Sequence, residues 1–184
     1  FITYNETSKR LYSDYFLNSA RNFDVGISKD YYIRSKSIDE KEFPEILYNF
    51  TGVYSNQRLI SRGLIDFEIA DFEISILNKI FKNLPHTVMF KTYPNTWDYP
   101  DKDPILEVAD NIDNIVIYDK NVDSRFLMHR SKVIVTSRLT STLSWSIMSG
   151  KPIVFFNIDD ECFWRNDAMK LMRDSIIVFD KKDK

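Results

Sequence analysis

The chain has 184 residues, 43% hydrophobic and 28% charged, with a formal net charge of −2. That is enough for one sizeable domain or two small ones of ordinary globular composition. No apolar run approaches the ~18 residues of a membrane span, and the near-neutral balance argues against a broad nucleic-acid surface.

In chain order, residues 1–4 read as a first strand and 5–10 as a polar loop. Residues 11–23 carry Leu11, Tyr15, Phe16 and Ala20 at helical spacing. The stretch 24–61 holds Gly26, Pro44, Gly52 and scattered aromatics, and reads mostly as loop with short helices. Residues 66–84 give a clearer signal. Asp66 stands where an N-cap belongs, and Glu68 and Asp71 suit the positive end of a helix dipole. Ile69, Phe72, Ile76, Leu77, Ile80, Phe81 and Leu84 then form one broad apolar face, which Pro85 ends. A strand is expected over 87–92, a break at Tyr93-Pro94, a loop over 95–104 and a helical turn over 105–109.

From Asn114 onward the alternation is regular. Strands are expected at 115–118, 133–136, 153–156 and 175–179, and helices at 124–129, 141–149 and 161–173. Val133-Ile134-Val135 is a continuous β-branched run, as in a strand buried on both faces. Gly150 sits where a helix-terminating glycine belongs. Strand–helix alternation of this kind predicts an α/β fold, a Rossmann-like parallel sheet with helices on both faces. Ligands of such sheets bind beyond the carboxyl ends of the strands. Residues 91–97, 136–142 and 157–164 occupy such ends.

The turn after Val135 is the strongest chemical signal. Ser137, Thr140, Ser141 and Thr142 cluster there with Arg138, and a helix follows. One N-cap needs one hydroxyl. Several hydroxyls beside free N–H groups and a helix dipole suit a phosphate. Neither a Walker loop nor a dinucleotide glycine fingerprint is present. Lys91 ends the apolar run Val88-Met89-Phe90, and either neutralises phosphate in the crevice or snorkels to water from an open strand end. Arg125, Arg138 and Arg165 are further cationic candidates. His86 and His129 lie 43 positions apart, which gives no metal spacing. No metal and no cofactor are expected. Asp159, Asp160 and Glu161 suit helix capping better than catalysis. Asn5-Glu6-Thr7 and Asn49-Phe50-Thr51 match a glycosylation sequon, but no secretion signal accompanies them. Cys162 is the only cysteine, which excludes an internal disulfide. A cytoplasmic setting, peripheral at the inner membrane face at most, is expected.

The ordered set of motifs resembles the nucleotide-binding half of bacterial surface-carbohydrate transferases of the two-Rossmann GT-B architecture. Ser141-Thr142-Leu143-Ser144-Trp145-Ser146, then Ser149-Gly150-Lys151-Pro152 and an apolar strand, matches their nucleotide turn, and Lys91-Thr92-Tyr93-Pro94 matches an upstream basic–aromatic–Pro element. Phe155-Phe156 followed by Phe163-Trp164 also fits. The resemblance covers about residues 87–179. It implies one half of a GT-B architecture, with residues 1–184 a single nucleotide-sugar-binding domain cut from a longer chain. The donor would be a nucleotide-activated sugar or polyol phosphate, used in capsule or other surface polysaccharide synthesis. Lys91, Ser137, Arg138, Thr140, Ser141 and Thr142 would hold its phosphates. An N-terminal acceptor domain would supply the general base, so the fragment alone should bind donor without turnover. The family has glutamate at the position of Ser146, where it would be expected to hold the ribose hydroxyls. A sugar-nucleotide epimerase or phosphorylase on the same fold, and a non-catalytic nucleotide-binding module, are the alternatives.

Overall fold

A computed structural model describes residues 2–3, 23–24, 43–50, 66–92, 103–118, 122–137, 140–158 and 166–181. The chain divides into two units, Phe1–Arg34 and Ser35–Lys184. In the first, strands β1 (Ile2–Thr3) and β2 (Phe23–Asp24) pair in parallel. The helix expected over 11–23 lies outside the described residues, apart from Phe23, which is in β2.

The second unit is built on six parallel strands: β3 (Ile46–Asn49), β4 (Val88–Lys91), β5 (Ile115–Tyr118), β6 (Val133–Thr136), β7 (Ile153–Asn157) and β8 (Ile177–Asp180). Their order is β5-β4-β3-β6-β7-β8. This is the Rossmann-like parallel sheet expected, and every strand predicted after Pro85 is present within a residue or two. The chain leaves β3 toward β4 and β5, then crosses back to place β6 on β3's other side. The order therefore reverses between β3 and β6, and a crevice opens where the flanking connections diverge.

One inner strand was not foreseen. Ile46-Leu47-Tyr48-Asn49 pairs with both β4 and β6, yet lies in the stretch read mostly as loop. The physical reason is its setting. Leu47 and Tyr48, successive residues on opposite faces, are both fully buried. A short strand covered on both faces loses the alternation that marks a half-exposed one, and four residues are too few for any period to emerge.

The helices are α1 (Asp66–Lys79), α2 (Pro104–Asp110), α3 (Arg125–Met128), α4 (Ser141–Met148) and α5 (Asn166–Ser175). The apolar face foreseen over 66–84 belongs to α1 and the 3₁₀ turn Phe81–Asn83 after it. Strand alternation sorts the core into two layers. Tyr48, Val88, Phe90, Val135 and Phe156 face Ile69, Leu77 and Phe81 of the α1 region and Ile105 of α2. Leu47, Met89, Ile134 and Phe155 face Leu127, Leu143 and Met172 of α3, α4 and α5. Tyr48 packs edge-on against Phe81 at 4.7 Å and Phe90 at 5.4 Å, and Phe50 stacks on Phe90 at 4.3 Å. Full burial of one such side chain stabilises by about 1.5–3 kcal/mol, with roughly 0.5–1.5 more for each aromatic pair. Among the described residues, no helix is long and apolar enough to cross a membrane.

Candidate functional site

A cleft of about 320 Å³ opens at the β3–β6 switch point, on the α3/α4 side of the sheet. Its floor is the carboxyl ends of β3 and β4, where Asn49 and Lys91 are in-register neighbours. Its walls are Ser141, Thr142 and Trp145 of α4 and the segment that begins α3. A larger groove of about 590 Å³ lies elsewhere, against α1 and the end of β8, and is lined mainly by Phe67, Phe72, Ile80 and Phe179. Its walls are largely apolar and carry none of the expected phosphate-binding residues, so size is a poor guide here.

Lys91 is only 4% exposed, so it is not a strand-end lysine reaching for water. Its Nζ donates to the Thr92 carbonyl at 2.5 Å and lies 5.6 Å from the centroid of the Tyr118 ring. Arg125 supplies a second cation. Its guanidinium lies 4.6 Å from the Trp145 ring centroid and forks onto Asp123, with Nε at 2.9 Å and Nη2 at 2.8 Å. Burial pushes the Asp123 carboxyl up, but hydrogen bonds from Arg125 and the charges of Arg125 and Lys91 outweigh it and hold the carboxyl below its ordinary value. Asp123 also caps α3, accepting from the Arg125 N–H at 2.9 Å.

Helix α4 starts as the hydroxyl cluster suggested. Thr140 is the N-cap, its Oγ1 accepting from the Thr142 N–H at 3.3 Å, and Ser141 and Thr142 line the cleft. The first turn thus presents the positive end of its dipole toward Lys91's side of the cleft. Ser137 stands elsewhere. It continues the alternation of Val133 and Val135, so its side chain points to the opposite face of the sheet, where it is fully buried and donates to Glu73 of α1. Ser146 is buried as well. Its hydroxyl donates to the Thr142 carbonyl at 2.8 Å and lies against Met128, while Trp145 takes the cleft-facing position. Arg138, Cys162, Arg165 and residues 159–161 lie outside the described residues. His86 is exposed and pairs with Glu45 at 2.6 Å, away from the cleft.

Sequence reasoning overlooked Asn49, Asp123, Ser124 and Trp145 as cleft residues. In the sequence Asn49 stands out only as part of a sequon, and at 6% exposure it has no room for a glycan. Its real signal was a polar residue ending a short apolar run, and that required seeing β3. On the opposite face, Tyr48 and Ser137 both donate to the fully buried Glu73 carboxylate. Burial, then the charge of Glu73, raises the Tyr48 hydroxyl well above its ordinary value, so it remains a donor.

No known family model matches the chain, and no curated protein matches it. Among solved structures it is similar to the spinosyn forosaminyltransferase SpnP, at 16% identity and a TM-score of 0.43, over 77% of this chain and 32% of that one. It is also similar to the glycosyltransferase GlyE of Streptococcus pneumoniae TIGR4, at 10% identity and a TM-score of 0.41, over 76% of this chain and 30% of that one. The chain spans about a third of the length of each.

Proposed function

We propose that this chain is the donor-binding half of a GT-B-type transferase that takes a nucleotide-activated sugar or polyol phosphate and serves surface polysaccharide assembly. The observation that carries the reading is the meeting of Lys91, Arg125 and the first turn of α4 in one cleft at the topological switch point. Two cations and a helix N-terminus, offset in part by the Asp123 carboxylate paired with Arg125, suit a diphosphate. When the acceptor oxygen bonds to the anomeric carbon of a sugar donor, or to the outer phosphorus of a polyol-phosphate donor, the bond to the departing phosphate oxygen breaks and negative charge grows on the leaving group. Lys91, the dipole of α4 and the Ser141 and Thr142 hydroxyls are already in place to stabilise it. The acceptor and its general base would belong to a second domain, so the isolated chain should bind donor and not turn it over. The Ser146 hydroxyl is turned onto its own helix, so a ribose contact would have to come from another residue.

A thermal-shift series with CMP, CDP, UDP and GDP tests this. A ligand at 100 times its Kd adds about 2.7 kcal/mol, which corresponds to a rise in Tm of roughly 5–10 °C for a domain of this size. If none of the four raises Tm at millimolar concentration, the nucleotide reading is wrong.

A further inference from the structure

We propose that the Asn49 side-chain amide reads the ligand at the floor of this cleft, donating from Nδ2 to a phosphoryl oxygen of a diphosphate ester. The inference rests on the donor reading above and adds to it the residue that recognises the anion. Asn49 ends β3 at the switch point, is 94% buried by its 6% exposure, and lines the cleft. Its Oδ1 accepts from the Ser124 hydroxyl. Among the described residues, its Nδ2 is buried and has no hydrogen-bond partner. A buried donor without an acceptor is costly, and such groups are rare in native proteins unless something else satisfies them.

The Ser124 contact fixes the amide. Ser124 occupies the N-cap position of α3 but makes no side-chain capping bond there, and Asp123 caps in its place. The hydroxyl instead reaches a residue 75 positions earlier. Holding Oδ1 sets the plane of the amide and leaves the NH₂ as the end available to a ligand. The acceptor it awaits stands beside Lys91, the in-register neighbour of Asn49. An anionic oxygen serves an amide donor and an ammonium together better than a neutral one, and a phosphoryl group has several to share among Asn49, Lys91 and the first turn of α4.

Inorganic pyrophosphate and the best nucleoside diphosphate are the probes, titrated into wild type, Asn49→Asp and Ser124→Ala by calorimetry, with Tm measured in parallel. Asn49→Asp keeps the shape and can still accept from Ser124, but it turns the donor into a charged acceptor. Affinity for both probes should fall about 30-fold or more. Its Tm without ligand is compared with that of wild type, because a purely structural role for Asn49 would move Tm and leave affinity alone. Ser124→Ala frees the amide to rotate and should weaken both probes about 3- to 10-fold. If Asn49→Asp binds pyrophosphate like wild type, the inference is overturned while the donor reading stands. Should Asn49→Asp fail to fold, unchanged affinity in Ser124→Ala overturns it. If wild type binds neither probe, the donor reading falls and this inference with it.

Discussion

Lys91→Met is the most informative single change. Methionine keeps most of the buried stem and removes only the ammonium. In the folded protein that deletes the Nζ bond to the Thr92 carbonyl, the contact with the Tyr118 ring and the attraction to the Asp123 carboxylate. It also removes the desolvation cost of a charge that is 96% buried by its 4% exposure. These effects oppose one another, so stability should stay within about 1 kcal/mol of wild type. Ligand binding has no such compensation. A unit charge pair at ~4 Å in a medium of effective dielectric ~20 is worth ~4 kcal/mol at most. Arg125 and the α4 dipole remain, so the loss should be the about 1.5–3 kcal/mol of a charge-assisted hydrogen bond, or about 10- to 150-fold in Kd. Calorimetry with the best nucleotide at two ionic strengths measures both parts. Added salt should weaken wild type more than the variant, because screening acts on the interaction the variant lacks. Equal Kd values for the two proteins would refute the reasoning, and the search for the phosphate partner would move to Arg125.

Glu73→Ala should leave the Tyr48 and Ser137 hydroxyls buried without their acceptor and cost about 3–5 kcal/mol in urea unfolding; Glu73→Gln, which can still bond both, should cost clearly less. Gly150 has φ of +69° and open space where a Cβ would go, so Gly150→Ala should cost about 1–2 kcal/mol through the backbone alone; no change in Tm would contradict the assigned conformation. Asp123 has a folded-state pKa below its unfolded value, so its share of stability is present above the unfolded pKa and disappears as pH falls through the folded one. Asp123→Asn should therefore lower Tm at neutral pH and converge with wild type in acid, and parallel Tm curves from pH 7 to pH 2 would sink this account.

Several features were legible in the linear sequence because they depend on neighbours along the chain. The apolar face of α1 repeats at helical spacing, the Thr140 cap uses a hydroxyl two residues from the N–H it holds, and the positive φ of Gly150 is a local demand that glycine meets without strain. The strand–helix alternation after Pro85 likewise implied a parallel sheet, since each crossover must return the chain in the same direction.

The composition of the cleft belonged to the tertiary structure. β3 pairs with strands 42 and 87 positions onward in register, Ile46 with Val88 and with Val133, and nothing in four residues announces such partners. Sheet parity then decided which polar residues meet. Lys91 and Asn49 end their strands on the α3/α4 face, while Ser137, near Thr140 in sequence, turns to the other face and Glu73. Nearness along the chain had grouped Ser137 with Ser141 and Thr142; a period of two along a strand separates them. Residue type and local spacing specify what a segment can form, but which side of a sheet a hydroxyl serves, and whether a lysine at a strand end meets water or a cleft, depends on what packs above it.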